Sequence, residues 1–398
     1  MRGVPRAADL RPEWQLLRET ARVSPDSVRR ERVGALLRLP LDWTWLRRTA
    51  AGHGTTALLW WHLNRADPAA VPEPIRDDLR RWFHDNACRN LLLTGDLLRL
   101  LELFASHAVR AVPFKGPTLA AYAYGNLALR QFVDLDLLLD PADLPRARRL
   151  LEQEGYRTGL PLPPAEEDAY LASIGQVPFV KDGRSRMVEL HARIAPRDFH
   201  FPLGLERLWP RLRPLSLNGK EVAALAGEDL LLVLCAHGAK HRWRSLGWVC
   251  DVAELLRVDR AMNWQTVRDE ARSLRCERIL LLGLLLAHEL LEAPVPEELV
   301  RQARGTPAVV ALAAWVCQRM FGEDGGGPAG FRNALFHLRA RERLADGLRY
   351  ALSLALTPTV ADWTTVRMPR GLSFVHYLWR PVRLVGKYGR HLIGGGGG

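Results

Sequence analysis

Val112-Pro113-Phe114-Lys115-Gly116-Pro117 and, one short helix later, Arg130-Gln131-Phe132-Val133-Asp134-Leu135-Asp136-Leu137-Leu138-Leu139 decide how this chain folds. The second stretch reads as a strand with two carboxylates in it. Successive strand side chains point to opposite faces, so Asp134 and Asp136 share one face while Val133, Leu135 and Leu137 fill the other. Leucine on both faces marks a buried strand. Two like charges side by side in such a strand are costly, and a bound cation is the usual relief.

Outward from that strand the pattern is mixed α/β from Val109 to about Ile194. A strand at Val109 to Phe114 leads through Lys115-Gly116 into a helix at Thr118 to Tyr124, and the strand at Phe132 to Leu139 follows. Asp140-Pro141-Ala142-Asp143 supplies a turn and N-cap for a helix over Asp143 to Glu154, and Gly155 stops it. Two more strands fit Val177 to Lys181 and Arg186 to Ala192, joined at Asp182-Gly183. In the second of these, alternation sets Glu189 opposite Val188 and Leu190, with His191 pointing the same way as Glu189. If this strand lies beside the Asp134 strand, three carboxylates converge. Three hard oxygen donors suit Mg²⁺, with Mn²⁺ as the alternative, and leave positions for water and substrate phosphate. Such a site can activate an attacking oxygen and stabilise a leaving pyrophosphate.

The flanks read as helical. Apolar residues recur at three-to-four spacing from Pro12 to about Leu103, broken near Gly52-His53-Gly54 and at Pro68 to Pro74. After Glu228 the helical pattern returns, interrupted at Glu323 to Pro328 and ending in Gly394 to Gly398. The expected architecture is therefore α+β: an N-terminal helical region over residues 1–103, a catalytic α/β core over 104–222, a C-terminal helical domain over 223–393 and a flexible glycine tail over 394–398.

Composition bounds the partners. The 398 residues are 48% hydrophobic, enough for a sizeable core, and Lys+Arg exceed Asp+Glu by 56 to 44 for a net charge of +12. That balance suits a polyanion, such as a nucleoside triphosphate, RNA or an anionic membrane surface; an arginine-rich proteome explains it as well. Cys88, Cys235, Cys250, Cys276 and Cys317 are an odd number without a CxxC pair, expected to be reduced and buried in a cytoplasmic protein. Met1 to Arg18 lacks the apolar segment of a secretory signal, and the apolar run Ile279 to Ala287 is too short to cross a bilayer.

Lys115-Gly116, Tyr124-Gly125, Arg130, Asp134-Leu135-Asp136, Gly155-Tyr156 and Glu189-Leu190-His191 together resemble the DNA-polymerase-β-type nucleotidyltransferase superfamily. More narrowly they resemble its uncharacterised bacterial family, whose core reads LKG, then RxxxDxD, then a strand with acid-Leu-His. His237-Gly238-Ala239-Lys240-His241-Arg242-Trp243 and Trp248-Val249-Cys250-Asp251 resemble that family's helical segment. The resemblance implies catalytic, metal-binding acids at Asp134, Asp136 and Glu189, and Gly116 at the turn where the triphosphate of ATP or another NTP approaches. Pro117 departs from the superfamily's Gly or Ser and has no backbone N–H to offer there.

Several residues have two readings. Lys115 and Arg130 are nucleotide contacts or, respectively, a surface lysine and a structural partner of an aspartate; Lys240 joins the nucleotide contacts. His237 and His241 lie on one helical face and are expected to line the cleft facing the sheet, or His237 to be a satisfied core histidine, rather than to bind zinc, since no HExxH or third ligand accompanies them; with His191 they are read as supporting groups of the site. Trp243 and Trp248 read as core rather than as a base-stacking platform, and Asp251 as the partner of a basic neighbour rather than a metal ligand. The aromatic and basic segment Phe374 to Arg390, interrupted by Pro381, docks on the body of the protein or on a membrane surface. The expected activity is transfer of a nucleoside monophosphate from an NTP to an acceptor hydroxyl with release of pyrophosphate. The acceptor is a small molecule, peptide or protein. The alternatives are a non-catalytic nucleotide- or partner-binding protein and an RNA-directed transferase, the latter without a visible RNA-recognition motif.

Overall fold

Leu135 to Leu139 is buried at every position, and the strand it forms is the spine of a five-stranded sheet. The computed structural model describes residues 9–24, 26–158, 160, 175–184, 186–196, 199, 201–322, 329–359, 362–363 and 375–383. The sheet comprises β1 (Ala111–Pro113), β2 (Leu135–Leu139), β3 (Arg157–Thr158), β4 (Gln176–Lys181) and β5 (Arg186–His191), in the order β1-β2-β5-β4-β3. β2 and β5 run parallel, with Asp136 opposite Glu189 and Leu138 opposite His191; the other pairs are antiparallel. The expected adjacency of the two acid-bearing strands is thus present.

Strand alternation divides the sheet between two apolar cores. Leu135, Leu137, Leu139, Val188 and Leu190 pack with helix α5 (Glu73–Ser106) and α7 (Leu144–Gln153). Val112, Phe114 and Leu138, on the other face, belong to a larger core. That core unites α1 (Pro12–Thr20), α2 (Ser27–Leu37), α3 (Trp43–Gly52) and α4 (Thr56–Ala66) with the helices that follow the sheet. After α6 (Gly116–Tyr124) and the single-turn α8 (Leu205–Leu208), these are α9 (Gly227–Lys240), α10 (Leu246–Val258), α11 (Trp264–Ser273), α12 (Glu277–Leu291), α13 (Glu297–Arg304), α14 (Pro307–Phe321) and α15 (Ala329–Ala340); α16 (Leu344–Leu356) follows outside that core. The class is α+β: a small mixed sheet flanked by helices.

Local chemistry sets the boundaries. β2 starts at Leu135, three residues later than expected, because residues 127–134 leave α6 through a 3₁₀ turn and irregular chain. Phe132 fills the buried position before the strand, and Val133, expected on the apolar face, is exposed. α7 begins at Leu144; Asp143 makes no side-chain cap, and Asp140 holds the turn by accepting from the Ala142 N–H at 2.9 Å. Gly155 then ends the helix at φ +85°, a left-handed value glycine adopts without steric cost.

A second hairpin, β6 (Arg213–Leu217) with β7 (Lys220–Ala224), turns at Asn218-Gly219 and was not expected. Cys88 is exposed on α5, correcting its reading as a buried thiol; the other four cysteines are buried. Residues 375–383 form a helix that runs through Pro381 rather than breaking there. Arg380 holds it to Asp362 at 2.8 Å, and His376 stacks on Trp363 with centroids 4.1 Å apart. The rest of the Phe374 to Arg390 segment, the Glu323 to Pro328 break and the glycine tail lie outside the described residues. Among the described residues, no helix is long and apolar enough to cross a membrane.

Candidate active site

Gly116 decides how closely the β1–α6 turn can approach β2. Its φ is +56°, and a Cβ there would meet the Asp134 carbonyl oxygen at 3.2 Å. The close approach brings the preceding Lys115 onto the strand: its Nζ lies 2.8 Å from Asp136 Oδ2. From the parallel neighbour, His191 Nε2 donates to Asp136 Oδ1 at 2.9 Å and stands 3.3 Å from Glu189 Oε2. Asp136 is almost wholly buried, yet both of its oxygens have partners from its own chain.

Electrostatics follow from that arrangement. Burial alone would raise Asp136, but the Lys115 ammonium and the His191 hydrogen bond hold it well below the usual carboxylate range. The same imidazole lowers Glu189 by hydrogen bonding. Burial disfavours the imidazolium of His191, and the bonds to Asp136 and Glu189 outweigh it and raise its pKa. The Lys115 ammonium and the His191 N–H therefore serve three carboxylates. Asp134 is the one left over, pushed up to about 6 by burial and the Asp136 charge against the pull of Lys115.

Ligand atoms of Asp136, Glu189 and His191 lie within 4.8 Å of one another, close enough to share a metal ion. The set expected from the sequence was Asp134, Asp136 and Glu189. Asp134 falls outside the tightest cluster, although the charges of Asp136 and Glu189 both raise its pKa. The surplus negative charge and the hard oxygen donors fit a divalent cation.

The Asp134 and Asp136 carboxylates border a cleft of about 560 Å³, whose lining also includes Lys115, Gly116, Arg130 and the α9–α10 connection. Arg130, expected to contact nucleotide, directs Nε and Nη2 to Asp251 at 2.8 and 2.9 Å, leaving Nη1 buried without a hydrogen-bond partner. Tyr124 Oη donates to the same aspartate at 2.8 Å. Asp251 thus orients a basic neighbour, as its position suggested. Lys240, the last residue of α9, is not among the lining residues.

Trp243 builds the opposite wall. It is fully buried, and its ring lies where a Cβ on Gly238 would fall, 2.6 Å away; Gly283 of α12 clears the other side. The chain reverses there with Arg242 and Trp243 both at positive φ. The reversal carries Arg244, Ser245 and Trp248 into the cleft lining beside His237 and His241. His237 and His241 line the cleft, as the helical face they share suggested. Trp248, expected in the core, is half-buried and lines the cleft.

His53 was not singled out by the sequence reading, and it caps α10. Its Nδ1 accepts from Leu246 N–H at 3.1 Å, while its carbonyl accepts from Ser245 Oγ at 2.7 Å and Gly247 N–H at 2.9 Å. A conspicuous Gly-His-Gly turn was legible; its partner 192 residues away was not.

Asp136 on β2 with Asp134 just before it, beside the acid-bearing parallel strand β5 and a Lys-Gly turn, is an arrangement compatible with a nucleotidyltransferase class of site. The chain belongs to the uncharacterised nucleotidyltransferase family, whose model matches residues 40–292. That span covers α3 through α12, and so both walls of the cleft. Among curated proteins and among solved structures, none matches the chain.

Proposed function

We propose that the protein transfers a nucleoside monophosphate from an NTP to an acceptor hydroxyl, using a divalent cation, Mg²⁺ or Mn²⁺, held by Asp134, Asp136 and Glu189. The pairing of Asp136 with Glu189 on parallel strands, with Asp134 at the cleft edge, carries the reading. When bound, the cation supplies positive charge to the phosphates and the attacking oxygen.

The chain's own residues do the rest. The turn at Lys115-Gly116 receives the triphosphate, with Gly116 and Thr118 contributing backbone N–H groups and Pro117 none. Lys115, 2.8 Å from Asp136, would be free to contact phosphate if a cation were held by that carboxylate. The acceptor oxygen forms a bond to the α-phosphorus, the bond from that phosphorus to the bridging oxygen breaks, and pyrophosphate leaves. Glu189, whose side chain is 31% exposed, takes the hydroxyl proton, and His191 at 3.3 Å shares the charge.

Incubation with each α-labelled NTP and Mg²⁺, alone and with host lysate, tests this directly. Label transfer with release of pyrophosphate, lost in Asp134→Asn and Asp136→Asn, is the expected result. Undiminished transfer in both variants overturns it. One observation favours a second reading: both oxygens of Asp136, the most buried of the three carboxylates, are satisfied by Lys115 and His191 without any metal. A protein that holds a nucleotide without cleaving it fits that arrangement, and NTP binding without pyrophosphate release distinguishes it.

A further inference from the structure

The cleft has a second wall that the transfer chemistry leaves without a task. His241 and Trp248 stand side by side on it, with ring centroids 5.1 Å apart and planes tilted by 36°. His237 meets Trp248 edge-on at 5.4 Å and 90°, and lies 4.7 Å from His241. This edge-to-face packing fixes the indole in place.

The two imidazoles on this wall are uncharged, with Arg244 beside them. Burial, reinforced by the nearby cations Lys240 and Lys115, brings His241 down to about 4, and burial beside Lys115 keeps His237 far below the ordinary value. Both imidazoles are therefore neutral at pH 7. The cleft is also lined by Lys115, Arg130, Asp134 and Asp136 from the sheet side and by Arg244 and Asp251 from the helical side. Charges of both signs suit a metal triphosphate. A flat, neutral aromatic surface within the same cavity suits a flat aromatic ligand, and the part of a nucleotide with that character is its base.

We propose that His241 and Trp248 form the nucleobase subsite of the donor nucleotide, stacking the base on the helical wall while the triphosphate lies toward Lys115 and the carboxylates opposite. The proposal rests on the reading of the cleft as an NTP site. Every base has a π face, so stacking holds all four NTPs, and the choice among them is weak.

Calorimetric titration of the full chain with Mg²⁺ and each α,β-methylene NTP, and separately with tripolyphosphate, tests the proposal without turnover. The unaltered chain is expected to bind the nucleotide analogues more tightly than tripolyphosphate. Trp248→Leu and His241→Leu are each expected to weaken the analogues about 10-fold while leaving tripolyphosphate within about twofold. Trp248→Phe is expected to keep most of the affinity. Retained tripolyphosphate binding shows that the cleft still folds, and His241→Leu serves if Trp248→Leu does not. Equal weakening of both ligands, or of neither, overturns the base subsite. Loss of single-stranded oligonucleotide binding with NTP binding intact also overturns it, by assigning the wall to an acceptor. Failure of the unaltered chain to bind any NTP analogue overturns instead the reading of the cleft on which the subsite rests.

Discussion

The two walls of the cleft solve the problem of burying polar groups in opposite ways. The sheet wall keeps its groups ionised and balances them: Lys115 and His191 on Asp136, with Glu189 sharing the imidazole. The helical wall suppresses charge, burying His237 and His241 as neutral rings against Trp248. Ionised groups at close range are poised to exchange partners with an incoming ion or phosphate. Neutral stacked rings have nothing to exchange and provide a fixed surface. The difference separates a wall for chemistry from a wall for holding.

The largest expected effect lies on the charged side. Asp136→Asn is expected to reduce nucleotidyl transfer by at least about 10³-fold at saturating NTP. Trp248→Leu, on the other side, is expected to raise KM with a much smaller change in kcat; equal losses of kcat in the two variants would erase the distinction between the walls.

Next in size is the buried pair that joins them. Asp251→Ala leaves the Arg130 guanidinium, 12% exposed, without its carboxylate, and denaturant unfolding is expected to show a loss of about 3 to 5 kcal/mol. Replacing both residues with apolar ones of similar volume is expected to recover most of it. A small effect of the single change would mean that Arg130 has another anionic partner in solution.

Gly247→Ala tests how firmly the helical wall is clasped. The added Cβ would lie 2.9 Å from the His53 carbonyl oxygen, so a loss of about 1 to 3 kcal/mol is expected in the same measurement.

The smallest effect is a pH slope. Burial holds His53 and His241 down to about 4 in the folded chain, against an ordinary value of 6.5. Between those values the unfolded chain binds more protons than the folded one, so stability is full above about pH 6.5 and falls as pH drops toward 4. Thermal unfolding followed from pH 7 to 4 should show this decline, and His53→Asn should flatten it.

The sheet was legible because its information is local. Alternation placed Asp136 and Glu189, Asp182-Gly183 marked the hairpin, and Gly155 marked a helix end, all within short windows. Local reading also had the means to find β6 and β7: Leu215, Leu217, Val222 and Ala224 alternate around Asn218-Gly219, the residues of a tight hairpin turn. The start of β2 was misplaced because Val133 continues the apolar pattern while the backbone before Leu135 is still irregular.

The helical wall was less legible because its logic is long-range. Trp243 and Trp248 are indistinguishable as letters five residues apart, and burial of one and exposure of the other depends on Gly238 and Gly283 making room for Trp243. Arg130 and Asp251 are 121 residues apart, so their bidentate pairing appears in no window of sequence. Much of the arginine surplus is likewise tied up within the fold. Arg18 donates to the carbonyls of Glu289 and Leu290 at the end of α12, and Arg211 bridges Asp229 and Glu270. Net charge alone is therefore a poor guide to a polyanionic partner here.

The apolar core shared by α1 to α4 and α9 to α13 also sets an order of assembly. During synthesis, Trp14, Leu17 and Leu59 leave the ribosome more than 150 residues before the α9 and α10 leucines they pack with. Apart from Trp363, the sheet and its α5–α7 core come from one stretch of chain between α5 and β7, and that stretch can form first. The first four helices can pack on one another and on α5, but the faces they share with the later helices stay uncovered until the helical wall arrives. Closure of that core and completion of the cleft are then one event, so a chain stalled before α10 holds the acids but no finished cleft around them.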